Sequence, residues 1–113
     1  MSLQKPILLK ILDNEPIGTF CSVSQELCFS YDWSLQFVKN GANGNPLISL
    51  EISNDNVNWN EYHECAKDVL FDDVDNTMRF IDEILPSRYF RICVKANGVT
   101  TGTIDAIMYL KRK

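Results

Sequence analysis

Apolar and polar side chains alternate along residues 27–38, and this alternation restricts the chain to a β-rich fold more than any other feature does. Every second position from 27 to 37 holds a large apolar residue: Leu27, Phe29, Tyr31, Trp33, Leu35 and Phe37. The even positions from Ser30 to Gln36 are polar. Successive side chains of a strand point to opposite faces, so the pattern predicts a long strand with one face on a core.

Three further stretches alternate in the same way. Their inward positions are Ile48, Leu50 and Ile52, then Phe90, Ile92 and Val94, then Ile104, Ala106, Met108 and Leu110. Turn-forming residues separate them: the stretch from Lys39 to Pro46 predicts an exposed loop, and Asn97-Gly98 predicts a hairpin turn. Short strands punctuated by turns are typical of a β-sandwich or a small barrel. We predict one all-β domain over residues 1–113 with about eight strands.

The segment from residue 75 to 85 allows two interpretations. Met78, Ile81 and Leu85 lie at helical spacing, which favours a short helix near 76–85. Residues 78–82 also resemble a short strand before the Pro86-Ser87 turn. We prefer the strand, because neighbouring strands in the chain usually pair with one another.

The last predicted strand has apolar residues on both faces. Ile107 and Tyr109 lie on the face opposite Ile104 and Met108. This pattern predicts a strand inside a sheet whose outer side is partly covered. We therefore expect Ile107 and Tyr109 to form an interaction surface, with a partner subunit as the cover.

Charge and composition narrow the classes of partner. The 113 residues carry a net charge of −4, which disfavours nucleic acid, because phosphate binding depends on clustered Lys and Arg. The basic end Lys111-Arg112-Lys113 is expected to be a solvated terminus. The N-terminal segment lacks the features of a signal peptide, and no apolar run is long enough to cross a bilayer. We expect no membrane partner and a location inside a cell, where the four cysteines would be free thiols.

No catalytic or metal-binding pattern stands out. The cysteines, at positions 21, 28, 65 and 93, are too far apart in sequence for the paired ligands of structural zinc. His63 and Cys65 could share a strand face, but the sequence shows no orienting group for a thiol nucleophile. The acidic residues between Glu61 and Glu83 do not match the spacing of a calcium loop. We predict a non-enzymatic protein with no cofactor and no metal.

Residues 53–59, Ser-Asn-Asp-Asn-Val-Asn-Trp, resemble a turn motif of small β-sandwich proteins encoded among bacteriophage structural genes. That motif usually reads Ser-x-Asp-Gly-x-x-Trp, and Asn54, Asp55, Asn56 and Trp59 are the corresponding turn residues here. The aspartate bonds to nearby backbone amides, the next residue is left-handed, and the tryptophan packs the returning strand on the core. Asn56 replaces the usual glycine, and asparagine also tolerates left-handed backbone.

Residues 33–37, 88–92 and 102–110 extend the resemblance over most of the chain. It implies an antiparallel sandwich of the discoidin-like or jelly-roll-like type. It also implies a virion component that assembles in the host cytoplasm: a capsid auxiliary or decoration protein, or part of a head fibre or tail. Such proteins dock to other virion proteins, often as homo-oligomers. The alternative is a carbohydrate-binding or adhesion module, in which Trp59, Tyr62 or the loop at 41–46 would contact a glycan.

Overall fold

The computed structural model describes residues 7–26, 31–62, 69–70, 77–80 and 87–112. Within those ranges the chain forms ten strand segments and no helix. The segments are β1 (Ile7–Pro16), β2 (Phe20–Cys21), β3 (Gln25–Glu26), β4 (Tyr31–Asn40), β5 (Leu47–Ser53), β6 (Asn60–Glu61), β7 (Val69–Leu70), β8 (Thr77–Phe80), β9 (Tyr89–Lys95) and β10 (Thr103–Arg112). No helix in this part of the chain is long and apolar enough to cross a membrane.

The segments form two antiparallel sheets. Sheet I has the order β1-β10-β4-β8, and sheet II has the order β2-β9-β5-β6. The short β3 also pairs with β9, beside β2, and β7 also pairs with β5, beside β6. In the described part of the chain each sheet is therefore four strands wide, and the strand order is that of a jelly roll. The prediction of an all-β antiparallel sandwich with about eight strands is confirmed.

The inner faces of the two sheets form one hydrophobic core. Its fully or nearly fully buried members are Leu12, Trp33, Leu35, Phe37, Ile48, Leu50, Phe90, Ile92, Val94, Ile104, Ala106 and Met108. Trp33 of sheet I stacks on Phe90 of sheet II, with ring centroids 6.0 Å apart. The inward positions predicted from the alternation are thus confirmed for Trp33, Leu35 and Phe37. Residues 27–30 lie outside the described ranges.

The predicted loop from Lys39 to Pro46 begins later than expected. Strand β4 continues to Asn40, and Lys39 is only 3% exposed because it extends the inward series of that strand. Its ammonium group donates to the carbonyl oxygen of Gly44 at 3.2 Å and to the side chain of Asn45. A lysine can bury its aliphatic stem in this way while its charged end reaches loop oxygens.

The Asn97-Gly98 turn forms, but it does not close a hairpin. Both residues have positive φ, 52° and 82°, and the Val99 amide donates to the Ala96 carbonyl at 2.9 Å. The strands on either side, β9 and β10, belong to opposite sheets. The predicted tight turn is confirmed. The prediction that this turn closes a hairpin is wrong, because the chain crosses from one sheet to the other at this point.

Residues 75–85, for which the sequence allowed either a helix or a strand, form a strand where the structure describes them. Thr77–Phe80 forms β8 and pairs with β4 in an antiparallel register, with Leu35 opposite Phe80. The preference for a strand over a helix is confirmed for these four residues. The remainder of the segment lies outside the described ranges.

The expectation of free thiols is wrong for two of the four cysteines. Cys21 on β2 lies directly opposite Cys93 on β9, and the two are joined in a disulfide. They are 72 residues apart in sequence, so only the pairing of the two strands brings them together. Cys28 and Cys65, with His63, lie outside the described ranges.

Candidate functional site

The turn at residues 53–59 is organised around the carboxylate of Asp55. Its Oδ1 accepts hydrogen bonds from the backbone amides of Val57 and Asn58 and from the Ser53 hydroxyl, at 2.8–2.9 Å. Its Oδ2 accepts from the side-chain amide of Asn58 at 2.7 Å. Asn56 has φ of 63°, in the left-handed region, and its amide donates to the Ser53 hydroxyl. The turn is therefore stabilised by hydrogen bonds among residues 53–58.

Asn54 connects this turn to sheet II. Its side-chain oxygen accepts a hydrogen bond from the backbone amide of Arg88, just before β9. A shallow cleft of about 280 Å³ runs along the turn, lined by Ile52, Ser53, Asn54, Asp55, Asn58, Asn60 and Ser87. Ligand sites are usually larger, more enclosed and more apolar. Because both carboxylate oxygens of Asp55 already accept bonds from the turn, we assign the cleft a structural role.

The same hydrogen bonds hold the pKa of the Asp55 carboxyl well below its ordinary value. The backbone amide of Asn58 contributes most, followed by that of Val57 and then by the side chains of Asn58 and Ser53. A carboxyl whose pKa is lower in the folded state stabilises the protein above its unfolded pKa, about 3.9 for aspartate. That stabilisation is lost as the pH falls towards the folded value.

We therefore expect Asp55→Asn to lower the thermal unfolding midpoint at pH 7, with a difference from wild type that shrinks below about pH 4. The substitution removes the charge that the turn amides stabilise. Thermal melts between pH 7 and pH 2 would measure the effect. Asp13→Asn, at an exposed aspartate on β1, is the control. A difference that stays constant over the whole pH range would contradict this role for Asp55.

Trp59 lies on the outer face of sheet II and not on the core, contrary to what the motif implied. The guanidinium of Arg91 sits over its ring, 4.4 Å from the centroid. The reason is register: Glu61, two residues further on, pairs with Glu51, whose side chain points outward. Arg91 also binds Glu51, with Nη2 and Nε at 2.6 and 2.8 Å from Oε1.

Each of the three candidate glycan-binding features of the sequence makes contacts within the domain. One face of the Trp59 ring is covered by Arg91. Tyr62 is half-buried and packs against the core. The loop after Asn40 is tied to the turn before β10, where Asn43 bonds to Thr100 through both its side-chain atoms.

Exposed apolar side chains lie instead on both faces of one edge of sheet I: Leu8 and Tyr109 on the outer face, and Ile7 and Leu9 on the opposite face, where they pair with Leu110 and Met108. We name this part of the sheet the apolar edge, and its members are Ile7, Leu8 and Leu9 of β1 with Tyr109 of β10. Their exposed fractions are 41%, 65%, 39% and 37%, respectively. Leu8 pairs directly with Tyr109, so their side chains share the outer face of the sheet. Ile107, the other predicted surface residue, is half-buried two positions away on the same face.

Strand β1 is the edge strand of sheet I, since its only partner in the described part of the chain is β10. Its pairing is regular from Ile7 to Lys10 and is then interrupted by register shifts before Leu12 and before Glu15. Asn14, with φ of 53°, lies in the second irregularity and donates its amide to Asp105. Of the four regularly paired residues, Ile7, Leu8 and Leu9 are apolar, and the fourth, Lys10, is charged.

Sequence reasoning did not find β1. Its irregularities break the period of two, so the run Ile-Leu-Leu-Lys-Ile-Leu shows no alternation. The available signal was the concentration of branched apolar residues in a short run ahead of turn formers.

Comparison with known proteins adds no assignment. No family model, no curated protein and no solved structure matches the chain. Jelly rolls occur in viral capsid proteins and in lectins, so the fold alone does not choose between docking and glycan binding.

Proposed function

We propose that this chain is a non-enzymatic structural protein of a bacteriophage particle, a capsid auxiliary or decoration protein or a component of a head fibre or tail. In this role it docks onto other virion proteins through the apolar edge. The observation that carries the proposal is the exposed pair formed by Leu8 of the edge strand and Tyr109 beside it on the outer face, with Ile7 and Leu9 exposed on the other face of the same strand.

Two physical properties make this edge suited to protein docking. Contiguous exposed apolar groups on a folded chain mark contact surfaces more often than scattered ones do. An edge strand also presents unpaired backbone N–H and C=O groups, to which a strand of a partner can add. Natural edges are commonly protected by charge or proline; Ile7, Leu8 and Leu9 carry neither, and the charge of this stretch comes only at its end, at Lys10.

The fold and the sequence resemblance support the same proposal. The jelly roll is a common architecture of capsid proteins, which is support by analogy. The turn at residues 53–59 has the chemistry of the motif that suggested the resemblance, with Asp55 bonded to backbone amides. In the glycan-binding alternative, Arg91 would leave only one face of the Trp59 ring for stacking on a sugar.

The direct test is the composition of the particle. Phage particles purified on a density gradient would be digested and the chain quantified by mass spectrometry against the major capsid protein. We expect a fixed number of copies per particle across preparations. Absence of the chain from infectious, gradient-purified particles would contradict the proposal.

The role of the apolar edge is tested by Leu8→Lys. The side chain is already exposed, so we expect a stability change within about 0.5 kcal/mol. We also expect incorporation into particles that lack the protein to fall by at least about tenfold, because a charge replaces an apolar contact. Val57→Lys is the matched control, since Val57 is also an apolar residue that is largely exposed, at 75% against 65% for Leu8, but lies in the turn at residues 53–59.

Light scattering of the purified chain tests self-association through the same edge. We expect wild type and Val57→Lys to form homo-oligomers and Leu8→Lys to shift towards the monomer. Equal incorporation and equal mass for the two lysine variants would contradict docking through the apolar edge.

A further inference from the structure

Three potential metal ligands meet on the outer face of sheet II, away from the apolar edge. They are Cys21 of β2, Cys93 of β9 and Glu51 of β5. One ligand atom from each, the two sulfurs and a carboxylate oxygen, lie within 4.8 Å of one another. Ligand atoms around a tetrahedral zinc ion are roughly 3.5–3.8 Å apart, as its bond lengths require. Small side-chain rotations would therefore bring these three atoms onto one ion.

The backbone holds the two cysteines together independently of the disulfide. Next to them, the Ser22 amide donates to the Ile92 carbonyl at 2.7 Å, and the Ile92 amide donates to the Ser22 hydroxyl at 3.0 Å. In an antiparallel ladder, hydrogen-bonded residue pairs alternate with non-hydrogen-bonded pairs, and side chains are closest together in the second kind. Cys21 and Cys93 are a pair of the second kind, next to the hydrogen-bonded Ser22 and Ile92. The Cα atoms of Cys21 and Cys93 are 4.0 Å apart. The thiols would thus remain neighbours after reduction.

Access and charge also suit an ion at this position. Cys21 is exposed whereas Cys93 is buried, so a small reductant or a metal ion reaches the pair from the Cys21 side. Both guanidinium contacts of Arg91 to Glu51 are made to Oε1, which fixes the carboxylate and leaves its second oxygen outside that pair. Hydrogen bonds of this kind to a carboxylate ligand orient it for the metal.

We infer that the reduced pair Cys21 and Cys93, with Glu51, forms a binding site for one Zn²⁺ ion, with water as the fourth ligand. A dithiol reductant opens the disulfide and is oxidised to its own disulfide, while Cys21 and Cys93 each gain a proton. Zinc binding then displaces both protons, because thiolates are the ligands. The same sulfurs cannot form a disulfide and bind the metal. The site therefore depends on the redox state of the pair, and it is independent of the docking function proposed above.

The test uses a background of Cys28→Ser and Cys65→Ser, in which only Cys21 and Cys93 can supply thiolates. The protein is reduced with dithiothreitol, freed of it under argon, and titrated with Co²⁺ as a spectroscopic probe. We expect one cobalt per chain with a thiolate-to-cobalt charge-transfer band that Zn²⁺ abolishes. The oxidised protein should show no such band.

Glu51→Gln tests the third ligand without touching either cysteine. We expect its metal affinity to fall by at least about tenfold. Glu61→Gln is the matched control, because Glu61 pairs with Glu51 but is not one of the three grouped ligands. Circular dichroism of the reduced protein monitors the fold.

Three results would overturn the inference: no charge-transfer band in the folded, reduced protein, equal affinities for wild type and Glu51→Gln, or loss of the native spectrum on reduction. The last would show that the backbone does not hold the cysteines together.

Discussion

Replacing Phe90 by alanine is expected to lower the free energy of unfolding by about 3–5 kcal/mol. The Phe90 side chain is fully buried and stacks on Trp33 of the opposite sheet, with centroids 6.0 Å apart. Its removal leaves a cavity where the two sheets meet, and neighbouring strands can only partly collapse into it. Domains of this size are stable by about 5–15 kcal/mol, so the variant loses much of its stability.

Urea denaturation of the Phe90→Ala variant, followed by tryptophan fluorescence, measures this loss. Val57→Ala is the control, because Val57 is 75% exposed and its truncation should change stability by at most about 0.5 kcal/mol. A loss below about 1 kcal/mol for Phe90→Ala would show that the two sheets do not pack as described.

Reduction of the Cys21–Cys93 disulfide is expected to cost about 4 kcal/mol of stability. The bond joins residues 72 positions apart, and a cross-link over so long a loop removes much of the entropy of the unfolded chain. The fold itself should persist, since β2 stays hydrogen-bonded to β9, with the Ser22 amide donating to the Ile92 carbonyl.

The cost is measured by denaturant unfolding with and without reductant in the Cys28→Ser, Cys65→Ser background. In the same background, Cys21→Ser combined with Cys93→Ser should match the reduced protein and be insensitive to reductant. Identical midpoints for the oxidised and reduced forms would show that the cross-link does not stabilise the domain.

The two tests bear on different levels of the molecule. The Phe90 variant tests the packing that makes the chain a sandwich. The disulfide test concerns one edge of sheet II and decides whether Cys21 and Cys93 are joined in a disulfide in solution. Neither substitution changes a residue of the apolar edge. The result of the Leu8→Lys docking experiment is therefore independent of the results of these two stability tests.

Sequence alone was sufficient where the determining physics is local. The period of two along residues 33–37 placed Trp33, Leu35 and Phe37 on the core, because side-chain direction in a strand depends only on position. The bonds of Asp55 and the left-handed backbone of Asn56 also involve near neighbours in the chain. Such features follow from a few consecutive residues.

Other features required the pairing of distant strands. Trp59 faces outward because of the register of β6 on β5, and Arg91 covers it only because β9 lies alongside β5. The apolar edge exists because β1 ends the sheet, a fact that the irregular run at residues 7–12 does not encode locally.

The sequence by itself determined the fold class, most of the inward residues and the chemistry of the turn at residues 53–59. The tertiary structure alone decided that Cys21 meets Cys93, that Glu51 lies beside them and that Leu8 is exposed next to Tyr109. The reason is that alternation specifies which face of a strand a residue occupies but not which strand lies next to it. Strand neighbours depend on how the whole chain buries its apolar surface.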